Sequence, residues 1–231
     1  KGLEPYSEYH AAQVAETLGF RHVGYELAKY KGRLCSKCRL FTSDRYGYLP
    51  ASKLPDRDRI LDDARFLEMF LFDAVIFNVD RHLGNFGYLV DNDTNEIVDV
   101  APIFDNGYGL FSLAMDDQAR PEYHEFDDLR KFLRKTGPAL YGYWLDFPGG
   151  LTSRMKALAM KLHAFRFKRH PYHNLSVERL NAVEEFLRRR ADQIVEFGED
   201  ADKLIYITEK SGTVNPANGQ NGGTVNAQGF F

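Results

Sequence analysis

The sequence has few cysteines, no long apolar run and no excess of positive charge. No apolar stretch approaches the roughly 20 residues that cross a bilayer, and no basic-then-apolar leader opens the sequence. The formal net charge is −3, whereas a general nucleic-acid binder needs surplus Lys and Arg to displace counterions from phosphates. We therefore expect a cytoplasmic protein that has no membrane contact and no direct nucleic-acid binding.

The two cysteines, Cys35 and Cys38, form a single Cys-x-x-Cys pair. Such a pair can be redox-active or supply half of a zinc site, but no second pair and no His of matching spacing accompanies it. The pair lies in a strand-like stretch, where positions three apart face opposite sides. We interpret both cysteines as structural.

The N-terminal part reads as a helix followed by a hairpin. A helical pattern covers residues 5–18, with Ser7 as its cap and Gly19 at its end. Two strand-like runs follow within residues 23–41, joined by a Lys-Gly turn. Residues 42–55 contain Gly and Pro and read as a loop-like connector.

The remainder is mostly helical. Apolar residues recur with helical period over 58–77, which predicts the buried central helix. Two short strands flank an Asp- and Asn-rich turn at 91–95, which we interpret as a β-turn and not a calcium loop. Further helices are predicted over 126–135, 151–167 and 176–197, and the Gly-, Asn- and Gln-rich segment 211–231 is expected to be disordered or to be added late to the fold.

The segment with the clearest chemistry contains Asp80, Asn85 and Asp105. Asp80 and Asn85 are five apart in a polar, Gly-containing loop directly after the buried helix. Phosphoryl transfer needs hard oxygen ligands for Mg²⁺ and a carboxylate that orients an acceptor hydroxyl. This spacing equals that of the protein-kinase catalytic loop, and Asp105 follows a strand and precedes Asn-Gly, in outline the metal-binding position.

The strings Asp-Arg-His-Leu-Gly-Asn-Phe-Gly and Pro-Ile-Phe-Asp-Asn-Gly, within residues 80–87 and 102–107, closely resemble the core of HipA-like serine/threonine protein kinases. Asp73, in the preceding helix, also resembles the family pattern. The resemblance implies an α+β, protein-kinase-like bilobal fold with a mostly helical C-lobe. Residues 1–50 would form a partial N-lobe, 51–207 the catalytic C-lobe and 208–231 a flexible tail.

The resemblance also implies roles for the residues of the two strings. Asp80 would be the catalytic base, and His82 would support the loop or the phosphate. Asn85 and Asp105 would bind Mg²⁺.

Three further positions would contact the nucleotide, with ATP and Mg²⁺ as cofactors. Glu8 would pair with a nucleotide-binding Lys. The strand through residues 39–42, with Leu40 and Thr42, resembles the connector whose backbone contacts adenine.

The sequence departs from the family at its N-terminal side, because no phosphate-covering loop or Lys-bearing strand precedes Glu8. These elements either lie upstream or are lost, and in the latter case Glu8 is a surface helix residue. Two alternatives to a kinase acting on a protein substrate follow. One is a pseudokinase or interaction module with an antitoxin-type partner, and the other is a phosphoinositide-type lipid kinase.

A basic cluster lies in the C-terminal helical region. We interpret it as a solvated helical face, with docking of an acidic partner or RNA as the alternative. Its members are Arg166, Lys168, Arg169, Arg188, Arg189 and Arg190.

Overall fold

The computed structural model describes residues 2–54, 63–78, 80–112 and 153–199. These residues form a mixed arrangement of helices and strands. The elements in chain order are α1 (Glu4–Leu18), β1 (Tyr25–Tyr30), β2 (Arg33–Cys38), β3 (Tyr46–Pro50), a 3₁₀ turn (Ala51–Lys53), α2 (Ala64–Ile76), β4 (Gly87–Asp91), β5 (Ile97–Val100), α3 (Ser153–Met160), a second 3₁₀ turn (Lys161–Ala164) and α4 (Val177–Glu199).

Helix α1 packs against the antiparallel hairpin β1–β2, as the sequence predicts. Gly19 ends the helix in the left-handed region, with φ 79°, which a residue without Cβ adopts at little cost. The prediction of Ser7 as the helix cap is wrong, because the helix begins at Glu4. Ser7 is buried, and its hydroxyl donates to the carbonyl oxygens of Asn106 and Gly109 at 2.6 and 2.8 Å.

Strands β3, β4 and β5 form a second antiparallel sheet in that order. The interpretation of residues 42–55 as a loop is wrong in part, since β3 occupies Tyr46–Pro50 and pairs with β4. The sequence did not predict this strand because it contains Gly47 and Pro50, and Gly and Pro usually interrupt strands. Gly87 is required at the start of β4, where an added Cβ would collide with the carbonyl oxygen of Leu49.

The core lies between α1, α2 and α4. Eight consecutive positions of α2 and its C-cap, 70–77, are at most 9% exposed, which confirms a buried central helix. Asp63 caps the helix by accepting from the Arg65 N–H at 3.1 Å. The predicted start at residue 58, the predicted helix over 126–135 and the segment 211–231 lie outside the described residues.

Two predicted elements differ in extent. The predicted helix over 151–167 ends earlier, because residues 165–170 are irregular. Phe165 and Phe167 turn into the core there, and the Phe167 N–H donates to Glu184 at 2.9 Å. The predicted strand before Asp105 likewise ends earlier, since β5 ends at Val100 and Ile103 forms only an isolated parallel bridge with His22. Within the described part of the chain, no helix combines the length and hydropathy needed to cross a membrane.

Candidate active site

The loop that contains Asp80 is fixed to the end of α2 by side chains. Phe77 closes the helix in the left-handed region, with φ 55°. Asn78 then donates to the Asp73 carboxylate at 2.9 Å, and its side-chain oxygen accepts the Asp80 N–H at 3.2 Å. The buried carboxylate of Asp73 thereby positions the backbone of Asp80.

Arg81, next to Asp80, is fully buried and forms a bidentate ion pair with Asp73. Its guanidinium also donates to the Asn85 carbonyl oxygen at 3.0 Å and to Asn106 Oδ1 at 2.6 Å. The hydrogen bonds of Arg81 therefore link the Asp80 loop to α2 and to the Asn106 turn.

Asn85 and His82 shape the loop itself. Asn85 is 6% exposed, and its Nδ2 donates to the Asp80 carbonyl oxygen at 3.2 Å, so its Oδ1 is the atom left for a metal ion. His82 is exposed, and its Nδ1 accepts the Gly84 N–H at 3.0 Å. The Tyr48 hydroxyl donates to the Gly84 carbonyl oxygen at 2.9 Å, which ties the loop to β3.

Asp105 has a left-handed backbone, with φ 54°, and an exposed side chain. Its N–H donates to the Tyr25 hydroxyl at 3.3 Å. The next N–H, of Asn106, donates to Glu8 Oε2 at 3.0 Å. Residues of β1 and α1 therefore hold the turn that presents the Asp105 carboxylate.

Asp80 and Asp105 line one cleft with a volume of about 410 Å³. Glu8 lines it as well, whereas Asn85 is buried behind the Asp80 backbone. The lining residues are Glu4, Pro5, Glu8, Leu34, Cys35, Ser36, Asp80, Asp105, Gly107 and Tyr108. The structure thus brings two carboxylates, 25 positions apart, to the same solvent-filled space.

Glu8 is 8% exposed, so the alternative that it is a surface residue is wrong. Burial raises the pKa of Glu8 to about 7. The hydrogen bond from the Asn106 N–H opposes this rise, and the nearby Asp105 carboxylate adds to it. A buried carboxyl with a raised pKa therefore lies in α1, beside the Asp105 turn.

The prediction of a strand through residues 39–42 is wrong, because β2 ends at Cys38. The two connector residues of this segment lie outside the Asp80 cleft. Leu40 is 85% exposed and lines a separate cavity of about 810 Å³ with residues 21–26. Thr42 is half-buried and lines neither cavity. Phe41, between them, packs on Phe104 with ring centroids 5.0 Å apart. Phe41 also packs on Tyr48, with ring centroids 5.5 Å apart. The connector therefore approaches the site through Phe104, which precedes Asp105, and through Tyr48.

Both cysteines are free thiols. Cys35 lines the Asp80 cleft, and Cys38 is exposed at the end of β2 beside the other cavity. Among the described residues, no group of three His, Cys, Asp or Glu side chains can hold a metal ion. Mg²⁺ at phosphoryl-transfer sites needs fewer protein ligands, since it uses one or two carboxylates together with substrate phosphates.

The predicted basic face is largely ion-paired. Arg188 and Arg189 both bind Glu185, and Lys168 binds Glu16. Arg190 is fully buried, with its guanidinium 4.8 Å from the Phe186 ring centroid. The interpretation as a solvated face is therefore wrong for Arg190, whose stem and charge pack inside the helical layer.

Comparison with known proteins shows that the fold is similar to that of a solved kinase structure. No protein-family model matches the sequence. The crystal structure of the Helicobacter pylori proinflammatory kinase CtkA matches with a TM-score of 0.59, covers 90% of both chains and is 20% identical. Serine/threonine-protein kinase CtkA of Helicobacter pylori is 27% identical over 150 residues, which cover 54% of this chain and 46% of that protein.

This match spans about half the length of CtkA. At this modest identity the chain is a homologue of a serine/threonine kinase and shares its fold. The homology supports a kinase-like function in general terms.

Proposed function

We propose that the chain is the core of an ATP- and Mg²⁺-dependent serine/threonine protein kinase of the HipA-like kind. The observation that carries the proposal is that Asp80 and Asp105 line one cleft next to the buried Glu8. The proposal includes a bilobal arrangement, which is supported by α1 and the β1–β2 hairpin on one side of the cleft and the loop after α2 on the other.

Each of the predicted site residues would have a separate role in this reaction. Asp105, exposed in the cleft, and Asn85, through Oδ1, would hold Mg²⁺, which neutralises phosphate charge when bound. The Asp80 carboxylate would orient the acceptor hydroxyl and take its proton as the hydroxyl oxygen bonds to the γ-phosphorus of ATP, while the bond from that phosphorus to the bridging oxygen breaks and ADP leaves. His82, through the Gly84 N–H, keeps the loop in shape.

Glu8 and the connector residues supply the remaining proposed contacts to the nucleotide. Glu8 Oε2 accepts a hydrogen bond from the Asn106 N–H. Glu8 Oε1 is therefore the oxygen that would pair with a nucleotide-binding Lys. Leu40 and Thr42 would offer backbone groups to adenine, with ATP extending from the connector to Asp105. The phosphate acceptor is a hydroxyl of a protein substrate.

The test measures how fast the full-length protein transfers phosphate from labelled ATP to a protein substrate and to its own chain. Asp80→Asn and Asp105→Asn each remove one charge at nearly constant volume and should reduce transfer by at least about a thousandfold. Asp93→Asn, in the exposed turn after β4, is the matched control and should behave as wild type. Wild-type turnover in the Asp80 variant would reject the proposed role.

A catalytically silent nucleotide-binding module, including one that docks an antitoxin-type partner, is the second candidate. The observation that favours it is that no Lys or Arg is among the described residues that line the cleft. Binding of ATP without transfer by the full-length protein would select it.

A further inference from the structure

Asp105 is held in a backbone conformation that a residue with Cβ rarely adopts. Its φ of 54° lies in the left-handed region, and such residues persist when their surroundings over-determine them. The structure shows these surroundings directly. The Asp105 N–H is bound by the Tyr25 hydroxyl, and the residues before and after it are each held by Arg81.

Asn106, directly after Asp105, is bound on three sides. It is 2% exposed. Its N–H donates to Glu8 Oε2 at 3.0 Å, and its carbonyl oxygen accepts from the Ser7 hydroxyl at 2.6 Å. Its side-chain Oδ1 accepts from Arg81 Nη2 at 2.6 Å. The main chain of Asn106 is therefore attached to α1, and its side chain to the loop of Asp80.

Arg81 completes the connection. The same guanidinium binds the carbonyl oxygen of Phe104 at 2.5 Å and that of Asn85 at 3.0 Å. It is anchored by Asp73 on the buried helix α2. One rigid cation thus contacts the residues on both sides of Asp105 and the backbone of Asn85, the second proposed metal ligand.

We propose that Asn106 is a positioning residue that sets the direction of the Asp105 carboxylate by coupling α1 to the Asp80 loop through Arg81. Asn106 acts through Asp105 and contacts neither metal nor substrate. The inference rests on the proposed function, because the metal-binding role of Asp105 belongs to it. When the Oδ1 acceptor is lost, the Asp105 turn loses its side-chain link to Arg81, and the left-handed conformation of Asp105 is held less firmly.

Two variants of nearly the same size as Asn106 distinguish loss of the hydrogen-bond acceptor from a change in side-chain volume. Asn106→Leu keeps the size of the side chain and removes the acceptor for Arg81. Asn106→Asp keeps the acceptor and pairs it with the guanidinium. Tyr25→Phe is a milder second variant, because it removes only the oxygen that receives the Asp105 N–H. Asn174→Leu, at an exposed loop position with local hydrogen bonds, is the control.

The experiment measures binding of a fluorescent ATP analogue to the full-length protein as Mg²⁺ is titrated, together with kcat and KM. Asn106→Leu should raise the Mg²⁺ concentration for half-maximal binding on the order of tenfold, the loss expected for one hydrogen bond to a charged group. Asn106→Asp should stay within about threefold of wild type, Tyr25→Phe should fall between them, and Asn174→Leu should match wild type. Mg²⁺ dependence unchanged in Asn106→Leu and Tyr25→Phe would overturn the proposal.

Amide hydrogen exchange without ligand separates this inference from the proposed function. The coupling predicts faster exchange at residues 105–107 in Asn106→Leu, with unchanged exchange in α2. If wild type shows no Mg²⁺-dependent ATP binding, the metal-positioning role is overturned together with the kinase function, and faster exchange still supports the coupling. Unchanged exchange at 105–107 overturns the coupling as well.

Discussion

Arg81 donates two parallel hydrogen bonds to Asp73, from Nε to Oδ2 and from Nη2 to Oδ1, each 2.9 Å long, and both side chains are fully buried. A bidentate guanidinium–carboxylate pair fixes orientation as well as distance. Because Asp73 lies on α2 and Arg81 lies in the loop of Asp80, this pair sets how the loop leaves the helix.

Removal of Asp73 is expected to destabilise the protein strongly. Asp73→Ala leaves the Arg81 charge buried without its partner, which typically costs about 3–5 kcal/mol. Chemical denaturation should show this loss, and the double variant Asp73→Ala/Arg81→Met should recover part of it, because the uncompensated charge is then gone. Additive losses in the double variant would contradict a direct interaction.

Glu8 is expected to make stability fall as pH rises. Its pKa is about 7 in the folded protein and 4.5 in the reference state, so between these values the folded state binds more protons than the unfolded state. The free energy of unfolding therefore decreases as pH increases through this window, by about 3 kcal/mol once pH exceeds 7.

Glu8→Gln removes this titration while keeping an oxygen for the Asn106 N–H. The variant should be more stable than wild type at pH 8, and the difference should shrink towards pH 4.5, as measured by urea unfolding at each pH. Glu16→Gln, on the exposed side of α1, is the control and should follow wild type. Parallel curves for wild type and Glu8→Gln would show that Glu8 does not titrate in this range.

His10 is expected to make stability fall as pH decreases, in a lower pH range than that of Glu8. It is 2% exposed, and burial lowers its pKa to about 4. Between this value and its ordinary value of 6.5 the unfolded state binds more protons, so stability is lost as pH falls through the window. His10→Gln should flatten the loss between pH 6.5 and 4 in thermal or urea unfolding, whereas an unchanged acid slope would assign the loss to other groups.

Gly87 is expected to tolerate no side chain. Gly87→Ala places a methyl group against the Leu49 carbonyl oxygen and within 2.8 Å of the Pro50 Cα, and such overpacking typically costs about 1–3 kcal/mol. Gly24→Ala is the control, because an added Cβ there has no neighbour within 4 Å. Equal melting temperatures for the two variants would mean that β3 and β4 separate easily.

Cys35 is expected to report on occupancy of the cleft. It lines the cleft of Asp80, whereas Cys38 lies beside the separate cavity. Mg²⁺ and inorganic tripolyphosphate, which has no adenine to reach Leu40, should therefore slow maleimide labelling of Cys35 and leave that of Cys38 unchanged, as followed by peptide mass spectrometry. Equal protection of both thiols would indicate a global change, and protection of neither would place the triphosphate outside this cleft.

Local sequence patterns were sufficient to predict most of the described secondary structure. Gly19 after an apolar stripe predicted the end of α1, and Lys31-Gly32 between two strand-like runs predicted the hairpin. The central helix followed from its apolar period. Strand β3 was missed because its pairing with β4 is a long-range contact, which outweighs the local preference of Gly47 and Pro50.

The sequence by itself determined which residue types are available for chemistry: two aspartates and an asparagine at kinase-like spacing, next to a helix that must be buried. Only the tertiary structure decided that Asp80 and Asp105 share a cleft, that Glu8 is buried beside them and that Asn106 and Arg81 join their loops. The physical reason is that these contacts link residues 25 to 98 positions apart. Local sequence period carries no information about which distant polar groups will satisfy one another in the core.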